Sequence, residues 1–130
     1  MTAIAAAGRL GKVAQIALSS RDVAKAVVFY RDVLGLSLMF EVSGMAFFDA
    51  GGTRLMIGPA QLTADLQNNT FIYFDAGDWY ATEAALIARG LKFEREAEIV
   101  QRAEGKEHAL RLFKDPDGNV LAIMGWRPAK

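Results

Sequence analysis

The sequence predicts an α+β fold in which two tandem β-α-β-β-β modules form a single domain of 130 residues. Short apolar runs separated by turn-forming pairs predict the strands, and two amphipathic segments predict one helix in each half. The halves repeat with a period of roughly 55 residues, which relates Gly35 to Gly90 at the ends of the two predicted helices. Two copies indicate a duplicated supersecondary unit, because a solenoid needs at least three.

The composition supports a globular chain and excludes several classes of function. Hydrophobic residues make up 52% of the chain and charged residues 23%, so a core can form. Fifteen basic residues balance fifteen acidic ones, so we expect neither nucleic acid nor an anionic membrane as a partner. The absence of cysteine excludes disulfides, thiolate metal ligands and a cysteine nucleophile. The N-terminal Ala-rich run lacks the features of a signal peptide, and we expect a cytoplasmic protein.

The first module is predicted over about residues 13–58. Its helix follows a cap at Ser20 or Asp22, carries apolar residues at helical spacing from Val23 to Leu34, and stops at Gly35. Strands are predicted at 13–19, 36–42, 45–49 and 53–57.

A linker is predicted at about 58–69 and the second module at about 70–126. Asp78 caps its helix, which is expected to bury the face that carries Tyr80, Ala84, Ile87 and Ala88 before Gly90 ends it. The segment DPDG, beginning at Asp115, is typical of a type I turn and closes a hairpin. Strands are predicted at 70–75, 91–100, 108–113 and 119–124.

Two motifs carry a resemblance to a known family: FYRDVLGL at residues 29–36 and DPDGN at residues 115–119. With the repeated module order, the chain resembles the vicinal oxygen chelate superfamily, the group of glyoxalase I, bleomycin-resistance proteins and extradiol dioxygenases. The resemblance covers residues 13–126 and implies curved mixed sheets around a cavity, with the helices on the outer faces. It also implies that the chain dimerises in some way, with or without exchange of modules, so we expect a homodimer.

The resemblance further implies four metal-ligand positions, which the metal-dependent members fill with His, Gln or Glu. Gln15, Met56, Phe71 and Ala122 stand at these positions here, and only Gln15 matches the pattern. A divalent cation needs several donor atoms at about 2.0 to 2.6 Å, and these residues offer one oxygen and a soft thioether. We therefore expect no metal ligands and no cofactor.

Alternation along the strands predicts which side chains share the cavity with those four positions. In the penultimate strand, pairing through the hairpin would place His108, Leu110 and Leu112 inward and Phe113 under a helix, whereas a slip by one residue would reverse these faces. In the third strand, either Met45 and Phe47 or Ala46 and Phe48 face inward. The tryptophans Trp79 and Trp126 are candidates for a subunit interface or the cavity mouth. The predicted ligand-binding residues are Gln15, Phe47, Arg54, Met56, Phe71, Tyr73, His108, Leu110, Leu112, Ala122, Met124 and Trp126.

Such a lining predicts metal-independent binding of an apolar or aromatic small molecule, in the manner of antibiotic-sequestering proteins. The alternative is a glyoxalase-like lyase, isomerase or dioxygenase, either without a metal or with an incomplete metal site. His108 or Tyr73 would then act as acid or base and Arg54 would stabilise an anion. Each candidate also has a structural interpretation: Met56, Phe71 and Met124 as core residues, Arg54 as a solvated strand end, and His108 as a hydrogen-bonded histidine.

Overall fold

Each half of the chain forms a four-stranded mixed sheet with one helix. The computed structural model describes residues 8–59 and 70–130. The sheet orders are β1-β4-β3-β2 and β5-β8-β7-β6, in which β1 pairs with β4 and β5 pairs with β8 in parallel. The predicted α+β class and the two β-α-β-β-β modules are thereby confirmed. The elements are β1 (Gln15–Ser20), α1 (Val23–Val28), β2 (Ser37–Val42), β3 (Met45–Ala50), β4 (Thr53–Pro59), β5 (Ile72–Asp75), α2 (Trp79–Ala88), β6 (Glu98–Ala103), β7 (Lys106–Lys114) and β8 (Val120–Pro128).

Helix α1 forms as its sequence predicts, except in its last turn. The Asp22 carboxylate caps it by accepting the backbone N–H of Lys25 at 3.2 Å. Its predicted apolar stripe is buried against β3 and β4, with Tyr30 fully enclosed. The helix continues as a π-helical turn over Phe29–Val33, which no sequence pattern predicted, and Gly35 then stops it at φ +82°.

Helix α2 begins at the predicted cap but buries a different face. The Asp78 carboxylate accepts the N–H of Ala81, whereas Trp79 and Leu86 are the buried residues and Ile87 is half exposed. The predicted face was wrong because this helix carries apolar side chains of its own on every side, so their spacing does not indicate which side is buried. Trp79 is 1% exposed and belongs to the core, which contradicts its assignment to a subunit interface or cavity mouth.

All eight strands differ from their predicted bounds by one or more residues; β8, for example, continues to Pro128, four residues beyond its predicted end. Strand β6 begins at Glu98, and Phe93, predicted to lie in the same strand, forms an isolated bridge with Phe113 instead. Strand β4 continues through Gly58 and Pro59, which were predicted as linker. The rest of the predicted linker, residues 60–69, lies outside the described residues.

The modules contact each other on the sides of the sheets that carry the helices. Buried residues of both modules form one hydrophobic cluster. The Phe29 ring, in the π-helical turn that follows α1, packs against this cluster, and its centroid lies 6.4 Å from that of the Phe113 ring of β7. Beyond α2, the Arg89 Nε atom donates to the Val33 carbonyl oxygen at 2.8 Å. The opposite face of each sheet is therefore free of its own module's helix.

The terminal turn joins the modules through a buried carboxylate. Asp115 Oδ1 accepts the backbone N–H groups of Asp117 and Asn119, both at 2.9 Å, and Gly118 closes the turn on the Asp115 carbonyl at 3.0 Å. Asp115 Oδ2 accepts the Tyr30 hydroxyl at 2.7 Å and the Asn119 amide at 2.8 Å. Burial and the Asp115 carboxylate raise the pKa of Tyr30 well above its ordinary value, so its hydroxyl remains a hydrogen-bond donor.

Candidate functional site

The predicted site residues lie on the sheet faces opposite the helices, in two groups. On the first sheet, Ala17 pairs with Met56, Met56 with Phe47, and Phe47 with Phe40. Phe48 lies in the core instead, so Met45 and Phe47 are the residues of β3 that share the face with Met56. We call this surface the Gln15 face; it consists of Gln15, Ala17, Ser19, Phe40, Met45, Phe47, Arg54 and Met56.

The second sheet carries the remaining candidates. In the β7–β8 hairpin His108 pairs with Trp126, Leu110 with Met124 and Leu112 with Ala122, while Tyr73 of β5 also pairs with Ala122. The predicted hairpin pairing of β7 is thereby confirmed, and Phe113 packs on the helical side. That His108, Leu110 and Leu112 line a ligand cavity stays a prediction. We call this surface the Ala122 face; it consists of Tyr73, His108, Leu110, Leu112, Val120, Ala122, Met124 and Trp126, with Phe71 just before β5.

Polar groups on the Gln15 face are engaged with one another. Arg54 Nε donates to Gln15 Oε1 at 2.7 Å, and the Gln15 amide nitrogen lies 3.9 Å from the Met56 sulfur. The Arg54 guanidinium also lies over the Phe47 ring, 5.2 Å from its centroid. Phe40 also stacks on Phe47, with 4.6 Å between the two ring centroids. The single oxygen that matched a metal-ligand position therefore accepts a hydrogen bond from a cationic side chain.

The Ala122 face presents an exposed aromatic surface. Phe71, Tyr73 and Trp126 keep 49%, 46% and 41% of their surface exposed. His108 packs against Trp126 with 5.0 Å between ring centroids, and Lys106 Nζ lies 5.3 Å from the Trp126 ring. Flat rings that remain open to solvent can stack on a planar ligand or against another protein surface.

The donor set does not fit a divalent cation. In the part of the chain that the structure describes, no three side chains among His, Cys, Asp and Glu come together. Gln15 Oε1 already accepts from Arg54, and a guanidinium beside that oxygen repels a second cation. The Met56 thioether is a soft ligand, unlike those preferred by Mg²⁺, Mn²⁺ or Zn²⁺.

The three acid–base candidates are not assembled into one site. Tyr73 and His108 share a face, but the β8 partners of these residues, Ala122 and Trp126, are four residues apart, about 13 Å along a strand. Arg54 and Tyr73 both line a cavity of about 180 Å³ between the modules. The geometry thus brings Arg54 near Tyr73 and leaves His108 with Trp126.

A second cavity between the modules, larger than the one beside Arg54 and Tyr73, was not predicted from the sequence. It has a volume of about 530 Å³ and is lined from both modules, by residues that include Leu34, Ala50, Asp75 and Leu86. Strand and helix periodicity assign each residue to a face of its own module, but they do not predict which surfaces of two modules meet. The one sequence feature that indicates such a cavity is the run of small residues Ala50-Gly51-Gly52, because small side chains leave space at a turn.

Comparisons with known proteins agree with this architecture. The model of the glyoxalase/bleomycin resistance protein/dioxygenase superfamily matches residues 12–123. The uncharacterized protein YraH of Bacillus subtilis is 29% identical over 128 residues, which cover 86% of this chain and 96% of that protein.

Solved structures share the fold at low sequence identity. A lactoylglutathione lyase from Agrobacterium tumefaciens matches with a TM-score of 0.69 and 22% identity, over 88% of this chain and 93% of that one. The virulence protein STM3117 from Salmonella typhimurium matches with a TM-score of 0.71 and 16% identity, over 93% and 99% of the two chains. Within the described residues, the helices are too short or too polar to cross a membrane.

Proposed function

We propose that this chain, which belongs to the glyoxalase/bleomycin resistance protein/dioxygenase superfamily, binds an apolar or aromatic small molecule without a metal ion. The observation that carries the proposal is the Arg54–Gln15 hydrogen bond, which engages the one oxygen available to a metal. The protein would hold its ligand stoichiometrically, as an antibiotic-sequestering protein does, and no covalent bond of the ligand would break.

The exposed rings supply the binding energy in this proposal. Tyr73, Phe71 and Trp126 would stack on a planar molecule, because offset or edge-on ring pairs add about 0.5 to 1.5 kcal/mol beyond the area they bury. Gln15 and Arg54 would orient polar groups of the ligand from the other sheet. Arg54 disfavours a cationic ligand on the Gln15 face, so neutral or anionic aromatic compounds fit best.

A panel of aromatic antibiotics and planar metabolites tests this function. We expect at least one compound, at 100 times its dissociation constant, to stabilise the protein by about 2.7 kcal/mol in thermal-shift measurements, with or without EDTA. Tyr73→Ala should weaken that binding about tenfold in calorimetry, because it removes a stacking ring. Ile87→Ala, at a half-exposed position on α2, is the matched control and should bind normally.

The proposal fails if no compound in the panel stabilises the protein. It also fails if binding disappears with EDTA and returns with Mn²⁺, Ni²⁺ or Zn²⁺, since a metal would then be required. Equal weakening by Tyr73→Ala and Ile87→Ala would indicate that the ligand lies elsewhere.

We also propose that the chain acts as a homodimer in which a second copy covers the open sheet faces. The exposed rings of the Ala122 face and Phe40 of the Gln15 face, 43% exposed, support this, because monomers rarely leave large apolar patches uncovered. Trp126→Glu should shift the protein to a monomer in sedimentation equilibrium, whereas Ile87→Glu should leave the dimer intact. The dimer is contradicted if the wild-type protein still sediments as a monomer at 100 times the protein concentration used in the binding measurements, because a high concentration favours association.

A further inference from the structure

The repeat creates two related contacts between the modules, and only one of them is filled with large side chains. At the first contact, the β7–β8 turn meets the end of β1 and α1, where the Phe29–Phe113 and Tyr30–Asp115 pairs bring large side chains together and leave an open groove of about 340 Å³ beside them. At the second, the β3–β4 turn meets β5 and α2, and Ala50 and Gly51 stand beside Phe74 and Leu86.

Smaller residues stand at the second contact. The step in sequence that leads from the helix cap Asp22 to the cap Asp78 leads from Tyr30 to Leu86, so a leucine is the buried counterpart of the phenol that fills the first contact. Ala50 lies two residues after the buried Phe48, as Asp115 lies two residues after the buried Phe113. The consequence is the cavity of about 530 Å³, a volume within the usual range for small-molecule sites.

The chemistry of the walls restricts what this cavity can hold. Most of the lining is apolar and includes Leu34, Phe74, Leu86 and Phe113. Asp75 is the acidic group, and its orientation is fixed because Oδ1 accepts the backbone N–H of Gly77 at 3.0 Å. Among the described residues that line the cavity, none is Lys, Arg or His, so the local charge favours a cation over an anion.

We propose that this cavity is a second binding site, for a small aromatic or alicyclic amine whose ammonium group lies beside Asp75. The ring would contact Phe74, Leu86 and Phe113, and the β5 residues would supply polar groups at the edge of the sheet. Phe74, Phe113 and Ile123 belong to the helical side of the second sheet. The cavity therefore lies mainly on the helical side of the second sheet, and among its lining residues Tyr73 and Asp75 share a strand face with Ala122 and Met124.

Chemical-shift titration of the full chain with benzylamine and with benzyl alcohol tests the site. We expect amide shifts at Phe74, Thr82 and Leu86 with both probes, and about threefold tighter binding of benzylamine, in line with a solvent-accessible ion pair. Asp75→Asn, which keeps an acceptor for Gly77, should remove the preference for the amine. Ala50→Met should place its side chain in the cavity and abolish the binding of both probes.

Ala81→Met, at an exposed position on α2 outside the cavity, is the matched control and should bind both probes like the wild type. If Ala50→Met does not fold, the Asp75→Asn comparison decides alone. Three results would overturn the proposal: shifts confined to the Ala122 face, an amine preference that survives Asp75→Asn, or no shift at millimolar probe. Tyr73 lines both sites, whereas Trp126 belongs to the Ala122 face and is not part of the cavity lining. Trp126→Ala and the antibiotic panel therefore report on the other site, so failure of one proposal leaves the other intact.

Discussion

Replacing Asp115 with alanine is expected to lower the free energy of unfolding by about 3 to 5 kcal/mol. The buried carboxylate accepts two backbone N–H groups of its own turn, the Asn119 amide and the Tyr30 hydroxyl. Its removal leaves these donors without their acceptor and releases the second module from α1. Urea unfolding followed by circular dichroism measures the effect.

Two variants separate the parts of this contact. Asp117→Ala removes an acceptor of the backbone N–H of Arg21 and should cost about 1 kcal/mol. Tyr30→Phe deletes only the hydroxyl and should cost about 1 to 3 kcal/mol, because a buried carboxylate oxygen loses one of its donors. Equal losses for Asp115→Ala and Asp117→Ala would show that the buried carboxylate does not join the modules.

The second large effect is expected for Glu107→Ala, at about 3 to 5 kcal/mol, because it leaves a buried arginine unpaired. Glu107 Oε1 accepts from Arg127 Nε at 2.9 Å and Nη2 at 2.8 Å, and both residues are less than 9% exposed. The Arg127 guanidinium lies 5.2 Å from the centroid of Trp79, so the pair supports the start of α2. Thermal unfolding measures the loss.

The double variant Glu107→Leu/Arg127→Met is the control for this prediction. It removes both charges and keeps the volume, so its stability should lie within about 1 kcal/mol of the wild type. A double variant as unstable as Glu107→Ala would show that packing, rather than the unpaired charge, causes the loss.

Local patterns predicted the fold well where one interpretation was dominant. The stripe of α1 predicted its buried face, and the turn at Asp115 fixed the register that places Leu110 and Leu112 beside Ala122. In α2, apolar residues on every side left the buried face undetermined, and Trp79 was assigned to the surface as a result. The start of β6 was predicted too early. Phe93 is apolar, as a buried strand residue would be, but it forms an isolated bridge with Phe113 and the strand begins at Glu98.

Strand alternation predicted which side chains share a face of each sheet, although both sets were expected to line one cavity. It could not be predicted that Arg54 would take the Gln15 oxygen, because this depends on a rotamer rather than on a period. The cavity beside Asp75 was equally invisible, since it depends on the packing of the modules. Ligand binding by either surface remains a prediction.

The outermost strands β2 and β6 each carry an irregularity at the same place. The pairing shifts between Leu38 and Phe40 in one module and between Ile99 and Gln101 in the other, so each edge strand has one extra residue. A bulge twists an exposed edge and interrupts its row of hydrogen-bonding groups, which hinders sheets of neighbouring molecules from joining into fibrils. Because both modules carry the bulge, the outer edges of both sheets have this protection against edge-to-edge association.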